Sequence, residues 1–111
     1  MIDIKYSAAA KNDLQQIGDY IAEQLNNPKS AFGVVNKIQD KVDKLVEFPL
    51  MGTPVSSVFD IETDDRFLVC GNYLVFYRTK KDEVFVDRIL YGKRDYIAIL
   101  FGEHIEQIEE L

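Results

Sequence analysis

The stretch RFLVCGNYLVFYRTKKDEVFVDRILYG, residues 66–92, decides the fold. Its segments RFLVC, YLVFYRT and VFVDRILYG are rich in β-branched and aromatic residues, the composition of strands that half-bury a pleated surface. Gly71 and Asn72 form a two-residue hairpin signal between the first two segments. The polar run Lys80 to Glu83 supplies the next turn. Strands adjacent in sequence and joined by short turns predict an antiparallel meander, and one of its faces needs a cover.

The cover lies upstream. From Ala8 to about Leu25 the apolar residues Ala10, Leu14, Ile17, Ile21 and Leu25 recur at three or four, with Asp13, Gln16, Asp19 and Glu23 between them, which predicts a surface helix with one buried stripe. Asn26, Asn27 and Pro28 break it, and Asn27 before Pro28 is a good N-cap and first-turn pair for a second helix. Phe32, Val35, Ile38, Val42 and Leu45 repeat the helical spacing up to Glu47, where Phe48 and Pro49 end it. So short a turn predicts an antiparallel helical hairpin. Before the helices, Ile2, Ile4 and Tyr6 alternate with Asp3 and Lys5 as in a strand that joins an edge of the sheet, and Ser7 offers an N-cap oxygen. Residues 49–65 show no sustained period and read as a loop. Residues 93–101 and 102–111 read as helical, with a break at Gly102 and an acidic end. The predicted class is α+β: an N-terminal strand, an antiparallel two-helix hairpin on a three- to four-stranded antiparallel sheet, and a short C-terminal helix, all in one domain spanning residues 1–111.

Bulk composition narrows the function. With 47% hydrophobic and 29% charged residues in 111, a single core is expected to need neither disulfide nor metal. Cys70 is the only cysteine and has no metal-ligand spacing around it, so a buried thiol and no metal site are expected. No targeting segment and no run of 18 apolar residues is visible, which predicts a cytoplasmic protein with no membrane partner. The net charge of −6 argues against general nucleic-acid binding. Positive charge is nevertheless concentrated in one segment: residues 66–101 hold seven Lys and Arg against four Asp and Glu, while residues 102–111 hold four acidic residues and no Lys or Arg.

The order strand, two long helices, loop and meander, closed by GNYLVFYRTKKDEVFVDRILYGKRDY, resembles the RelE/ParE toxin superfamily over nearly the whole chain. SAAAKNDLQQIGDYIAE, the following NNP and a second helix ending in FPLMG are more similar to the ParE branch, as is YRTKKDEVFVDRILYGKRDY. The resemblance implies the toxin of a type II toxin–antitoxin module, kept silent by a cognate antitoxin protein encoded beside it, and no small-molecule cofactor is expected. It implies two targets. ParE-like members poison DNA gyrase, and RelE-like members enter the ribosome and cleave mRNA. Gyrase inhibition is the first expectation, mRNA cleavage the alternative, and a non-toxic antitoxin-binding member the second alternative.

Metal-free RNA cleavage needs a base for the 2′-hydroxyl, cations on the phosphate and an acid for the leaving oxygen. The resemblance places Arg94 on the family's phosphate arginine and Arg66 near one of its strand cations. Two departures weaken the set: the arginine expected after the hairpin glycine is met by Tyr73, and the tyrosine expected six residues beyond Arg94 is met by Leu100. His104, the only histidine, lies in the acidic tail beside Glu103 and Glu106 and reads as an exposed side chain. A gyrase inhibitor needs only a gripping surface. Arg78, Lys80, Lys81, Arg88 and Lys93, with Tyr77, Tyr91 and Tyr96 interleaved, are the residue types of interface hot spots and predict one cationic, tyrosine-bearing rim. Arg88 alternates in phase with Val84, Val86 and Leu90, which predicts partial burial and leaves open an ion pair with a neighbouring carboxylate. Phe101, Ile105 and Ile108 form a short apolar stripe expected at the antitoxin-binding groove.

Overall fold

The computed structural model describes residues 2–24 and 26–92. In chain order the elements are β1 (Asp3–Tyr6), α1 (Ala8–Asp19), a π-helical turn (Tyr20–Gln24), α2 (Pro28–Asp43), a 3-10 turn (Lys44–Val46), β2 (Thr53–Pro54), a second 3-10 turn (Val55–Ser57), β3 (Arg66–Cys70), β4 (Tyr73–Lys80) and β5 (Glu83–Tyr91). Two helices therefore pack on one open sheet, as expected. The expected C-terminal helix lies outside the described residues.

The caps work as their chemistry dictates. Ser7 Oγ accepts from the Ala10 N–H at 2.9 Å, and Asn27 Oδ1 accepts from the Ser30 N–H at 3.1 Å with Pro28 opening α2. Between the helices Asn26 takes a φ of 50°, a conformation that Asn tolerates better than most residues.

The sheet is larger and less uniform than expected. Its order is β1-β5-β4-β3-β2, five strands rather than three or four. The meander β3-β4-β5 is antiparallel and β2 adds antiparallel to β3, but β1 pairs with β5 in parallel, Asp3 opposite Glu83 through Tyr6 opposite Val86. The reason is topological: the helical hairpin and three strands separate β1 from β5, and so long a connection permits the parallel pairing that a tight turn forbids.

Both faces of the sheet are covered. Ala10, Leu14, Ile17 and Ile21 with Ala31, Ile38, Val42 and Leu45 pack on Leu68, Val75, Val84, Val86 and Ile89. On the reverse face Val55, Phe76 and Leu90 form a second cluster joined by Phe59, Phe67 and Leu74. The segment read as a loop, 49–65, thus supplies cover for that second face as well as the edge strand β2.

Candidate functional site

A β-bulge sets the geometry of the cations. Tyr77 pairs with Val86 and Phe76 with Arg88, so Asp87 is an extra residue on β5. Val84 and Val86 pack on the helical face and Leu90 on the reverse one. The alternation expected to put Arg88 in phase with all three is broken there. Beyond Tyr6 the strand β1 has ended, and α1 takes over the free edge of β5: Asp13 accepts from Arg88 Nε at 2.8 Å, Arg88 Nη2 at 3.0 Å and the Ile89 N–H at 2.9 Å. Asp13 is 6% exposed, so this bidentate pair, with its added backbone bond, clamps helix to sheet from within. Arg88 is committed to the fold. Asp13, read from sequence as one of the polar residues between stripe positions, occupies the stripe itself, three after Ala10 and four before Ile17. A carboxylate at such a position is the signal that would have found it.

Arg66 and Tyr77 are engaged in a second internal device. Arg66 Nη1 donates to the carbonyls of Leu50 at 3.1 Å and Gly52 at 2.8 Å. Tyr77 is fully buried, its hydroxyl donating to the Pro49 carbonyl and accepting from the Gly52 N–H, both at 2.9 Å. Burial pushes its phenol pKa up, with the Gly52 bond and the Arg66 charge acting the other way. The rim position expected for Tyr77 is therefore corrected to a core position. A tyrosine that follows Val75 and Phe76 can sit on the helical face because its polar tip finds backbone partners.

Arg78 belongs to the opposite face, 4.7 Å above the Phe85 ring, with Nε 3.3 Å from Asp87 Oδ2. Burial raises the pKa of Asp87 and Arg78 partly offsets it; Asp65 is raised by burial first and by the Asp87 charge second. Lys80 and Lys81 are exposed at the β4–β5 turn, where Lys81 has a φ of 55°. Arg66, Arg78 and Arg88 thus do not converge, and the single cationic rim expected from sequence is not formed by the described residues. Lys93, Arg94, Tyr96, Phe101, His104, Ile105 and Ile108 lie outside them.

Tyr91 does line a concavity. Its ring meets Tyr73 edge-on at 5.8 Å, and with Tyr20, Ile17, Ile21 and Val34 they wall a groove of about 740 Å³ between the helical hairpin and the end of the sheet. The π-helical turn that carries Tyr20 and Ile21 into this wall has no sequence signal beyond the Asn-Asn-Pro break after it. An aromatic groove of this size suits a macromolecular side chain or a short helix. Among the described residues no three His, Cys, Asp or Glu side chains gather as metal ligands do, and no helix is long and apolar enough to cross a membrane.

Residues 4–96 match the sequence profile of the family described as the ParE toxin of the type II toxin-antitoxin system, parDE. Among solved structures, the chain is similar to one from the chromosomal ParDE TA system of P. aeruginosa, with a TM-score of 0.71 and 25% identity over 84% of this chain and 98% of that one. It is also similar to YafQ from E. coli strain BL21(DE3), with a TM-score of 0.51 and 18% identity over 92% of this chain and 100% of the other, a likeness of fold. No curated protein sequence matches it significantly.

Proposed function

The chain belongs to the ParE toxin family of type II toxin–antitoxin systems, and from that premise we propose that, free of its cognate antitoxin, it arrests growth in the cytoplasm by gripping DNA gyrase rather than by cutting mRNA. The observation that supports this reading is the commitment of Arg66. Arg66, the strand cation expected for RNA cleavage, places Nη1 on the carbonyls of Leu50 and Gly52. A phosphate clamp needs its donors aimed at solvent, where charge develops. Arg66 Nη1 is turned instead to the carbonyls of the 49–52 loop.

A binding inhibitor asks less of the chain. Its grip would use Tyr91 at the end of β5 with Lys93, Arg94 and Tyr96, which follow directly in sequence, while the exposed Lys80 and Lys81 at the opposite end of β5 would make a separate contact. The purified toxin, added to gyrase and relaxed plasmid, is expected to block supercoiling while leaving messages intact in a translating extract. Normal supercoiling beside cut messages would replace this reading with the ribonuclease one.

A further inference from the structure

The groove between the helical hairpin and the end of the sheet is shaped for an apolar occupant. Tyr20, Tyr73 and Tyr91 wall it, and among the described residues that line it there is no Lys or Arg. Asp13, the one carboxylate there, is engaged by Arg88 and the Ile89 N–H. The lining therefore offers no free charge to a phosphate or an ion, and it selects apolar side chains. Tyr20 stands in this wall at 56% exposure, which leaves aromatic surface for an occupant to cover.

The chain itself brings a fitting segment to the mouth of the groove. Tyr91 ends β5 in the wall, and the Gly92 N–H donates to the carbonyl of Asn72, another lining residue, at 2.7 Å. A Cβ at Gly92 would lie 3.2 Å from that oxygen, so glycine lets the backbone leave close against the β3–β4 turn. Residues 97–111, further along, lie beyond the stretch that matches the ParE family. In them Phe101, Ile105, Ile108 and Leu111 recur at four, three and three, the spacing of one helical face, while Glu103, Glu106 and Glu110 fall on the other. An apolar face backed by carboxylates suits an uncharged groove open to water. Phe101 is ten residues beyond Tyr91, a tether that spans up to roughly 33 Å, more than a return to a groove beginning at Tyr91 requires. Short tethers give effective concentrations in the millimolar range, so an intrinsic affinity of about 1 mM is enough to fill the groove half the time.

We propose that residues 97–111 dock in this groove of their own molecule, Phe101, Ile105 and Ile108 against Tyr20, Tyr73 and Tyr91 and the glutamates toward water, so that the tail shields the aromatic wall until another molecule displaces it. Tyr91 belongs to the grip proposed above, but the contact itself does not depend on which target the toxin takes. The test uses the full-length chain and the tyrosine ring signals read by NMR in the presence of a soluble paramagnetic relaxation agent. Joint replacement Phe101→Ser/Ile105→Ser/Ile108→Ser is expected to raise the relaxation of the Tyr20, Tyr73 and Tyr91 rings about twofold or more, because a groove filled at least half the time is emptied. Unchanged ring relaxation in the folded variant overturns the proposal. In the unmodified chain, nuclear Overhauser contacts are expected between the Ile105 or Ile108 methyls and the Tyr73 or Tyr91 ring, at an intensity independent of protein concentration. Their absence overturns the proposal even where the joint variant fails to fold. Contacts that appear only as the protein is concentrated assign the groove to the tail of a second copy and overturn it as well.

Discussion

Replacing Asp13 by Ala tests whether the helix-to-sheet clamp holds this fold together. Three donors converge on that carboxylate: Arg88 Nε, Arg88 Nη2 and the Ile89 N–H. The substitution strands a guanidinium and leaves a backbone donor at a buried strand edge without a partner. Breaking a buried pair costs about 3–5 kcal/mol and an unsatisfied donor about 1–3 kcal/mol, but the two are not additive. The Arg88 side chain is 29% exposed and recovers part of its hydration, so the net loss is set at about 2–4 kcal/mol. That is a large share of the roughly 5–15 kcal/mol of a typical domain, and it lowers the melting midpoint by roughly 10–20 °C. Asp13→Asn, which keeps one acceptor oxygen, should lose less. A double-mutant cycle with Arg88→Ala, followed by urea unfolding, isolates the coupling, expected at about 2 kcal/mol. Coupling below about 0.5 kcal/mol would refute the clamp. It would return Arg88 to the pool of residues free to touch a target.

Further outcomes follow from neighbouring features. Tyr77→Phe removes the hydroxyl that bonds Pro49 and Gly52; it should cost about 1–3 kcal/mol and speed amide exchange at residues 50–52, whereas unchanged exchange there would dissociate the tyrosine from the loop. Lys81→Gly relieves a φ of 55° and should raise stability by about 0.5–1 kcal/mol while weakening gyrase inhibition; a variant both stabler and fully inhibitory would remove Lys81 from the grip. Asp65 carries a carboxyl pKa raised by burial and by Asp87, so the folded state holds its proton more tightly than the unfolded one. Its charge therefore costs stability at neutral pH, and the cost fades as pH falls through the folded pKa and is gone below the ordinary value of about 3.9. Asp65→Asn should melt higher than the unmodified chain at neutral pH and level with it in acid. A lower midpoint at neutral pH would reverse the sign.

Much of this fold was legible because its elements carry strong local signals. The period of three and four in Leu14, Ile17 and Ile21, the Asn27–Pro28 cap and the Gly71–Asn72 turn each act within a few residues, and each element formed where they pointed. What was not legible depends on contacts distant in sequence. Nothing near Asp3 or Glu83 announces that β1 runs parallel to β5. Val55 and Phe59 lack a period because they cover the reverse face from an irregular segment, so 49–65 read as plain loop. One extra residue at Asp87 changes the phase of β5, so Arg88 is part-buried and paired with a carboxylate as its reading allowed, but not on the face that the alternation pointed to. The site suffered most, for the same reason. An arginine or tyrosine looks alike in sequence whether it faces a partner or, like Arg66 and Tyr77, ties down a loop at Pro49–Gly52.

The central claim, that this toxin stops growth by seizing gyrase, is tested most directly by inducing it without antitoxin and quantifying gyrase covalently trapped on cleaved DNA. The account predicts that trapped complexes accumulate before growth stops, and that co-induced antitoxin abolishes them. Growth arrest with no trapped gyrase, accompanied by messages cut in the ribosome, would contradict it.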